Sequence, residues 1–203
     1  MKNRLVSVLA FVAVSLLCAQ AMAQVELDEK MLKLESKGKK DRYLEAGMRE
    51  YGISGGFGIA NEDETITNFQ LLPKYGLIIA DFDKIKGAFE FEVEPVLGMF
   101  LSPSQAVEAG VNVLFTYNFE TGTRFIPFFS AGAGFLYTNL KVNELGSKFN
   151  GSPQGGPGIK YMLNDNTALS LQTRIHHISN AGTASPNRGI DSFLFLIGMD
   201  FYR

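Results

Sequence analysis

From about Glu45 to Arg203 the chain alternates apolar and polar positions in segments of about ten to fifteen residues, separated by turn-forming residues. Phe89, Phe91, Val93, Leu97 and Met99 share one parity, and Glu90, Glu92 and Glu94 share the other. Further along, Val107, Ala109, Val111, Val113, Phe115 and Tyr117 fall together, opposite Glu108, Gly110, Asn112 and Asn118. The last segment sets Phe193, Phe195, Ile197, Met199 and Phe201 against Ser192, Gly198 and Asp200. Successive side chains of a strand point to opposite faces, so each segment has one greasy face and one polar face. Eight such segments are predicted, at 47–60, 66–80, 87–101, 105–118, 124–138, 149–162, 167–179 and 191–203.

An even number of long amphipathic strands suits an all-β fold, an eight-stranded antiparallel transmembrane β-barrel. Closure pairs every backbone polar group where no water can. A soluble barrel would turn the apolar face inward and the charged face outward. The acidic inner set and the strand length favour the membrane arrangement. Eight strands leave an interior filled by side chains, so no pore is expected. Glu90, Glu92, Glu94, Lys160, Gln172, Arg174, His176 and Asp200 are then expected to form a structural network inside. With both termini in the periplasm, the turns at 120–122 and 164–166 are periplasmic and tight. The longer connections at 139–148 and 180–190 face outward.

The segment before the barrel reads as a leader and a lead-in. Lys2 and Arg4 precede an apolar run from Leu5 to Leu17, and Ala21-Met22-Ala23 has the small-x-small pattern of a cleavage site. The expected organisation is a signal peptide over 1–23 cut after Ala23, a polar periplasmic lead-in over 24–44 and the barrel over 45–203. A lipoprotein reading of Cys18 is disfavoured by Leu17, which stands where a small residue is needed. Removing Lys2 and Arg4 with the leader takes the 19 basic residues to 17, against 21 acidic ones. That balance gives no basic footprint for nucleic acid. The leader also takes away the single Cys, which excludes disulfides, thiolate metal sites and cysteine catalysis. The two His are adjacent and point to opposite faces, which is no metal-binding spacing.

The candidate chemistry lies at the end of the seventh segment. His177 and Ser179 are two apart and so share a face, with Cα atoms about 6.5 Å apart. An imidazole that takes a serine proton makes a nucleophile, and a third group must fix its tautomer. Asp191 opens the last segment, and a hairpin pairing it with His177 sets their Cβ atoms about 5 Å apart. Leu169, Leu171 and Ile175 share their parity, so the three polar groups are expected on the lipid-facing side, at the outer hydrocarbon–headgroup boundary. Polar groups facing lipid need a reason, and an ester in the outer leaflet supplies one. The plain alternative is that they only cap a strand end.

The run His177-Ile178-Ser179-Asn180-Ala181-Gly182, followed by Pro186-Asn187-Arg188-Gly189 and Asp191, resembles the signature of the lipid A 3-O-deacylase family of outer-membrane barrels. The resemblance implies His177 as base, Ser179 as nucleophile, and an acid twelve positions later, Asp191, as the third member. It also implies an oxyanion hole from the Asn180 side chain and the Gly182 N–H. The better-known form has Glu where this chain has Asp191, one methylene shorter. The implied activity is hydrolysis of a lipid A acyl ester without a cofactor, on lipopolysaccharide of a Gram-negative outer membrane. Acyl transfer by the same nucleophile, and a non-catalytic structural or partner-binding barrel, remain open at this point.

Overall fold

The computed structural model describes residues 42–203. The expected leader and most of the lead-in lie outside the described residues. Nine strands are formed: β1 (Arg49–Asn61), β2 (Thr65–Phe82), β3 (Gly87–Ser102), β4 (Ala106–Phe119), β5 (Phe125–Thr138), β6 (Phe149–Gly151), β7 (Gln154–Asn164), β8 (Thr167–Ile178) and β9 (Ile190–Tyr202). Consecutive strands pair antiparallel, except that β6 and β7 both pair with β5, and β1 pairs with β9, which closes the sheet.

β6 and β7 are two pieces of one barrel strand. Phe135 faces Gly151 in β6 and Gly132 faces Gln154 in β7, in one unslipped register against β5. Between them Ser152 exchanges both backbone bonds with Gly134 of β5, at 2.8 and 3.1 Å, while Pro153 accepts the His177 N–H at 3.0 Å but has no N–H to return. The barrel therefore has eight staves, at the eight predicted positions. The turns 120–122 and 164–166 lie at the end that carries both barrel termini. The longer connections 139–148 and 179–189 lie at the other, the loop end.

The parity expected from sequence is the parity observed. Phe57, Leu97, Val107, Phe129, Leu171, Phe195 and Ile197 are exposed on the outside, while Glu90, Glu92, Glu94, Lys160, Arg174, His176 and Asp200 are buried inside. A belt of aliphatic and aromatic side chains this continuous is a lipid-facing surface.

The interior is filled in three layers. An apolar plug closes the loop end, built from Ile66, Leu72, Val96, Phe100, Leu136, Leu140, Leu145, Ile178 and Leu194. The middle layer is ionic. Lys160 bonds Glu50 at 2.9 Å and Glu90 at 3.2 Å, Lys74 bonds Asp200 at 3.1 Å and also Glu50, and Arg174 grips Glu94 through two nitrogens at 2.7 and 2.9 Å. A second plug at the terminal end contains Ile78, Ile126, Met162 and Tyr202, with Tyr43 and Leu44 inserted into it. Both of their backbone N–H groups are held by Glu120, at 3.1 and 2.8 Å. Tyr43 and Leu44, expected in the lead-in, thus belong to the barrel.

Candidate active site at the loop end of β8 and β9

His177 lies on β8 directly opposite Asp191 on β9. Its N–H donates to the Pro153 carbonyl on the β7 side, at 3.0 Å. Toward β9 it therefore belongs to a non-hydrogen-bonded pair, the kind in which facing side chains come closest. His177 Nδ1 and Asp191 Oδ1 are 2.7 Å apart. The short side chain of Asp191 thus reaches the imidazole with no register shift between β8 and β9.

Ser179 follows the last residue of β8 and is pinned by a two-way backbone bridge to Gly151: Gly151 N–H donates to Ser179 O at 2.8 Å, and Ser179 N–H to Gly151 O at 3.1 Å. Its side chain shares the lipid-facing parity of His177. Neither the Ser179 hydroxyl nor His177 Nε2 makes a hydrogen bond among the described residues, to each other or elsewhere. Contacts of this kind are commonly open in a substrate-free site and tighten when substrate binds. Across the ladder from Ser179, Gly151 carries no side chain, and the position its Cβ would take is open apart from the Ser179 carbonyl at 3.8 Å. Beyond it stands Phe135, 81% exposed. The serine thus has an unobstructed approach from the lipid side.

The chain after Ser179 turns back sharply. The Thr183 N–H donates to the Asn180 carbonyl at 3.1 Å, and the two residues between, Ala181 (φ 53°) and Gly182 (φ 79°), are both left-handed. Such a primed turn strongly favours Gly, and Ala181 adopts it at a steric cost. The Gly182 N–H is exposed and makes no bond among the described residues, so it is a free donor. Asn180 is buried and holds the loop: its amide donates to the Pro186 carbonyl at 3.2 Å, its side-chain oxygen accepts from the Ala184 N–H at 3.3 Å, and its backbone N–H donates to Asn187 Oδ1 at 2.8 Å. One of the two amide hydrogens of Asn180 remains uncommitted. The exposed Asn187 amide nitrogen has both of its hydrogens uncommitted.

Residues that strand parity does not single out complete the site. Gly189 has φ 77°, and a Cβ built on it would lie 2.5 Å from His177 Cε1 and 3.1 Å from Nε2. A bare backbone is what fits behind the imidazole edge. Glu62, from the β1–β2 loop, accepts the Asp191 N–H at 3.1 Å. Arg188 grips Asp63 of that loop at 2.6 and 2.9 Å, and the Arg188 and Gly189 N–H groups donate to the Glu144 carbonyl of the β5–β6 loop at 3.1 and 3.2 Å. Three loops are thus clasped around the segment that backs His177. The paired guanidinium holds the Asp63 carboxyl below its ordinary value, and Arg188 is raised in turn by that carboxylate.

Residues 81–200, more than half of the chain, match the family described as lipid A 3-O-deacylase (PagL). The chain belongs to the PagL family. A curated relative, lipid A deacylase PagL of Pseudomonas aeruginosa, is 36% identical over 83 residues, which are 39% of this chain and 45% of the relative. The match therefore spans less than half the length of that relative. Among solved structures, the outer-membrane enzyme PagL superposes with a TM-score of 0.61 at 21% identity, over 73% of this chain and 97% of that one. Neisserial surface protein A superposes at 0.58 with 13% identity, over 77% and 97%. The N-terminal barrel of Pseudomonas aeruginosa OprF gives 0.54 at 14% identity, over 79% and 100%. At these identities the likeness establishes the barrel fold, which PagL shares with the other two. The segment 177–191 lies wholly within the stretch matched to the PagL family.

Proposed function

We propose that this PagL-family barrel is a serine esterase of the outer membrane that removes the 3-O-linked acyl chain of lipid A. The observation that carries the proposal is the 2.7 Å contact between His177 Nδ1 and Asp191, on the lipid-facing side of the barrel, one turn of the strand from Ser179. The name of the Pseudomonas relative supports lipid A as substrate. In this reading the leader 1–23 is cut after Ala23, the residues from Gln24 up to the plug residues Tyr43 and Leu44 lead in from the periplasm, and the loop end faces outward, which sets Ser179 at the height of the outer-leaflet esters.

The chemistry follows from the tautomer. Nδ1–H donates to Asp191, so the Nε2 lone pair is free to take the Ser179 proton. Oγ attacks the ester carbonyl, and the oxyanion that forms takes hydrogen bonds from the Gly182 N–H and from an Asn amide. Collapse breaks the bond to the sugar oxygen, which leaves with the proton from Nε2. Water then repeats the sequence on the acyl-serine and releases the fatty acid. Asn180 is the amide expected from the family motif, while Asn187 presents a freer one. Comparing Asn180→Ala with Asn187→Ala assigns the donor, since losing an oxyanion donor costs about 10²–10³ in kcat.

The test is mass spectrometry of lipid A from cells carrying the chain, its Ser179→Ala or His177→Ala variant, or neither. The expected result is loss of one acyl chain only with the native protein. Unchanged lipid A in every strain would leave the barrel a structural one.

A further inference from the structure

The loop end is electrically lopsided about the candidate site. Around the barrel the order of loops is β1–β2, β8–β9, β5–β6. The β1–β2 loop carries Glu62, Asp63 and Glu64; Asp63 is paired with Arg188, Glu62 and Glu64 have no salt bridge among the described residues, and the loop touches the Asp191 side of the site through Glu62. The β5–β6 loop lies on the Ser179 side and carries Lys141 and Lys148, both exposed. Neither ammonium has an ion-pair partner among the described residues. That loop is firmly seated. Leu140 and Leu145 are buried in the apolar plug with Val142 packed against it, and the Glu144 carbonyl is tied to Arg188 and Gly189. The alternate residues therefore stand outward in fixed places. An open depression of about 570 Å³ lies among them, with Lys141, Asn143 and Lys148 on its polar side and Leu140, Val142 and Leu145 on its apolar side. Lys148 stands three residues beyond Gly151 along the same stave, about 10 Å along the strand and roughly 7 Å higher above the membrane centre once the strand tilt is counted.

We infer that the Lys141–Lys148 depression is a phosphate subsite, which holds the anionic headgroup of the lipid whose ester Ser179 attacks. The inference rests on the esterase reading for its substrate, not for its geometry. An ester at the hydrocarbon boundary leaves the phosphates of the same lipid in the headgroup layer, at the height of the two lysines. The acidic rim on the opposite flank repels those phosphates, so the lipid lies across the site in one orientation, its headgroup on the nucleophile side. Lysine serves a phosphate as a point charge, and a Lys near an anionic lipid surface contributes about fivefold in binding.

The experiment compares phosphorylated lipid A with its dephosphorylated form, on the full chain folded in detergent. The native protein should prefer the phosphorylated form by about 30-fold in kcat/KM, through KM. In the double variant Lys141→Gln/Lys148→Gln the preference should fall toward one, and Lys141→Arg/Lys148→Arg should restore it. Millimolar inorganic phosphate should leave the preference of the native chain intact. Its abolition would mean that the depression takes free phosphate and would overturn the headgroup assignment. Native mass spectrometry of the Ser179→Ala chain reads binding without turnover. Lysine-dependent retention of phosphorylated lipid A upholds the subsite even if no form of the protein cleaves it, in which case the esterase reading alone fails. A double variant that keeps both the native preference and the native retention overturns the subsite.

Discussion

At the scale of single residues, the His177–Asp191 pair decides how the shorter acid works. A non-hydrogen-bonded cross-strand pair brings the two side chains together at 2.7 Å, so Asp fits without adjustment. Asp191→Asn should keep the shape and lower kcat by up to about 10⁴-fold. Asp191→Glu should crowd the ring and also lose activity; a gain would show that Asp191 reaches its partner poorly. Gly189 gives a second residue-level test. Gly189→Ala puts a Cβ 2.5 Å from the imidazole at a left-handed φ, so it should lower kcat at least tenfold while the barrel stays folded and heat-modifiable on a gel. Native kcat in that variant would show that the imidazole does not rely on Gly189. The pairing of His177 with Asp191 was legible in the sequence, because strand parity and a hairpin suffice to derive it. Gly189, Glu62 and the Asp63–Arg188 pair were not. Gly189 matters through a positive φ close behind the imidazole and the others through contacts between loops distant in sequence, and no periodicity encodes either.

At the scale of elements, the period-two pattern carried nearly all of the fold. The staves lie where the alternation places them, and the break between β6 and β7 follows from Pro153. Tyr43 and Leu44 escaped notice because two apolar residues in a polar stretch carry no repeat. The clasped loops make their own prediction. The Asp63 carboxyl is held below the usual aspartate range by the Arg188 guanidinium. Its contribution is therefore complete above the unfolded value of 3.8 and is lost only as pH falls through the lower folded value. Hydrogen exchange of the 185–190 segment should then stay slow through mildly acid pH in the native chain. It should be faster in Arg188→Met at every pH above the folded Asp63 value, and the two should converge below it. Equal protection in the two above that value would mean that the clasp does not hold the loop.

At the scale of the molecule, residues 42–203 are a barrel sealed at both ends by apolar plugs, with a charged layer between them. Arg174 and Glu94 illustrate what that layer demands. Arg174→Leu leaves Glu94 buried without its cation, which should cost about 3–5 kcal/mol, read as a lower urea midpoint for unfolding from lipid vesicles. The double variant Arg174→Leu/Glu94→Leu should recover much of the loss. A single variant as stable as the native chain would mean that the network is not a structural one. With the interior filled in this way, the proposed chemistry belongs to the outer surface, where His177, Ser179 and Asp191 share one face at the loop end of β8 and β9. The most direct test of that claim is the rate at which the purified, folded chain releases fatty acid from lipid A, measured beside its Ser179→Ala variant. A fall of several orders of magnitude in the variant, with the same folded fraction, is the predicted result; release at the native rate would contradict it.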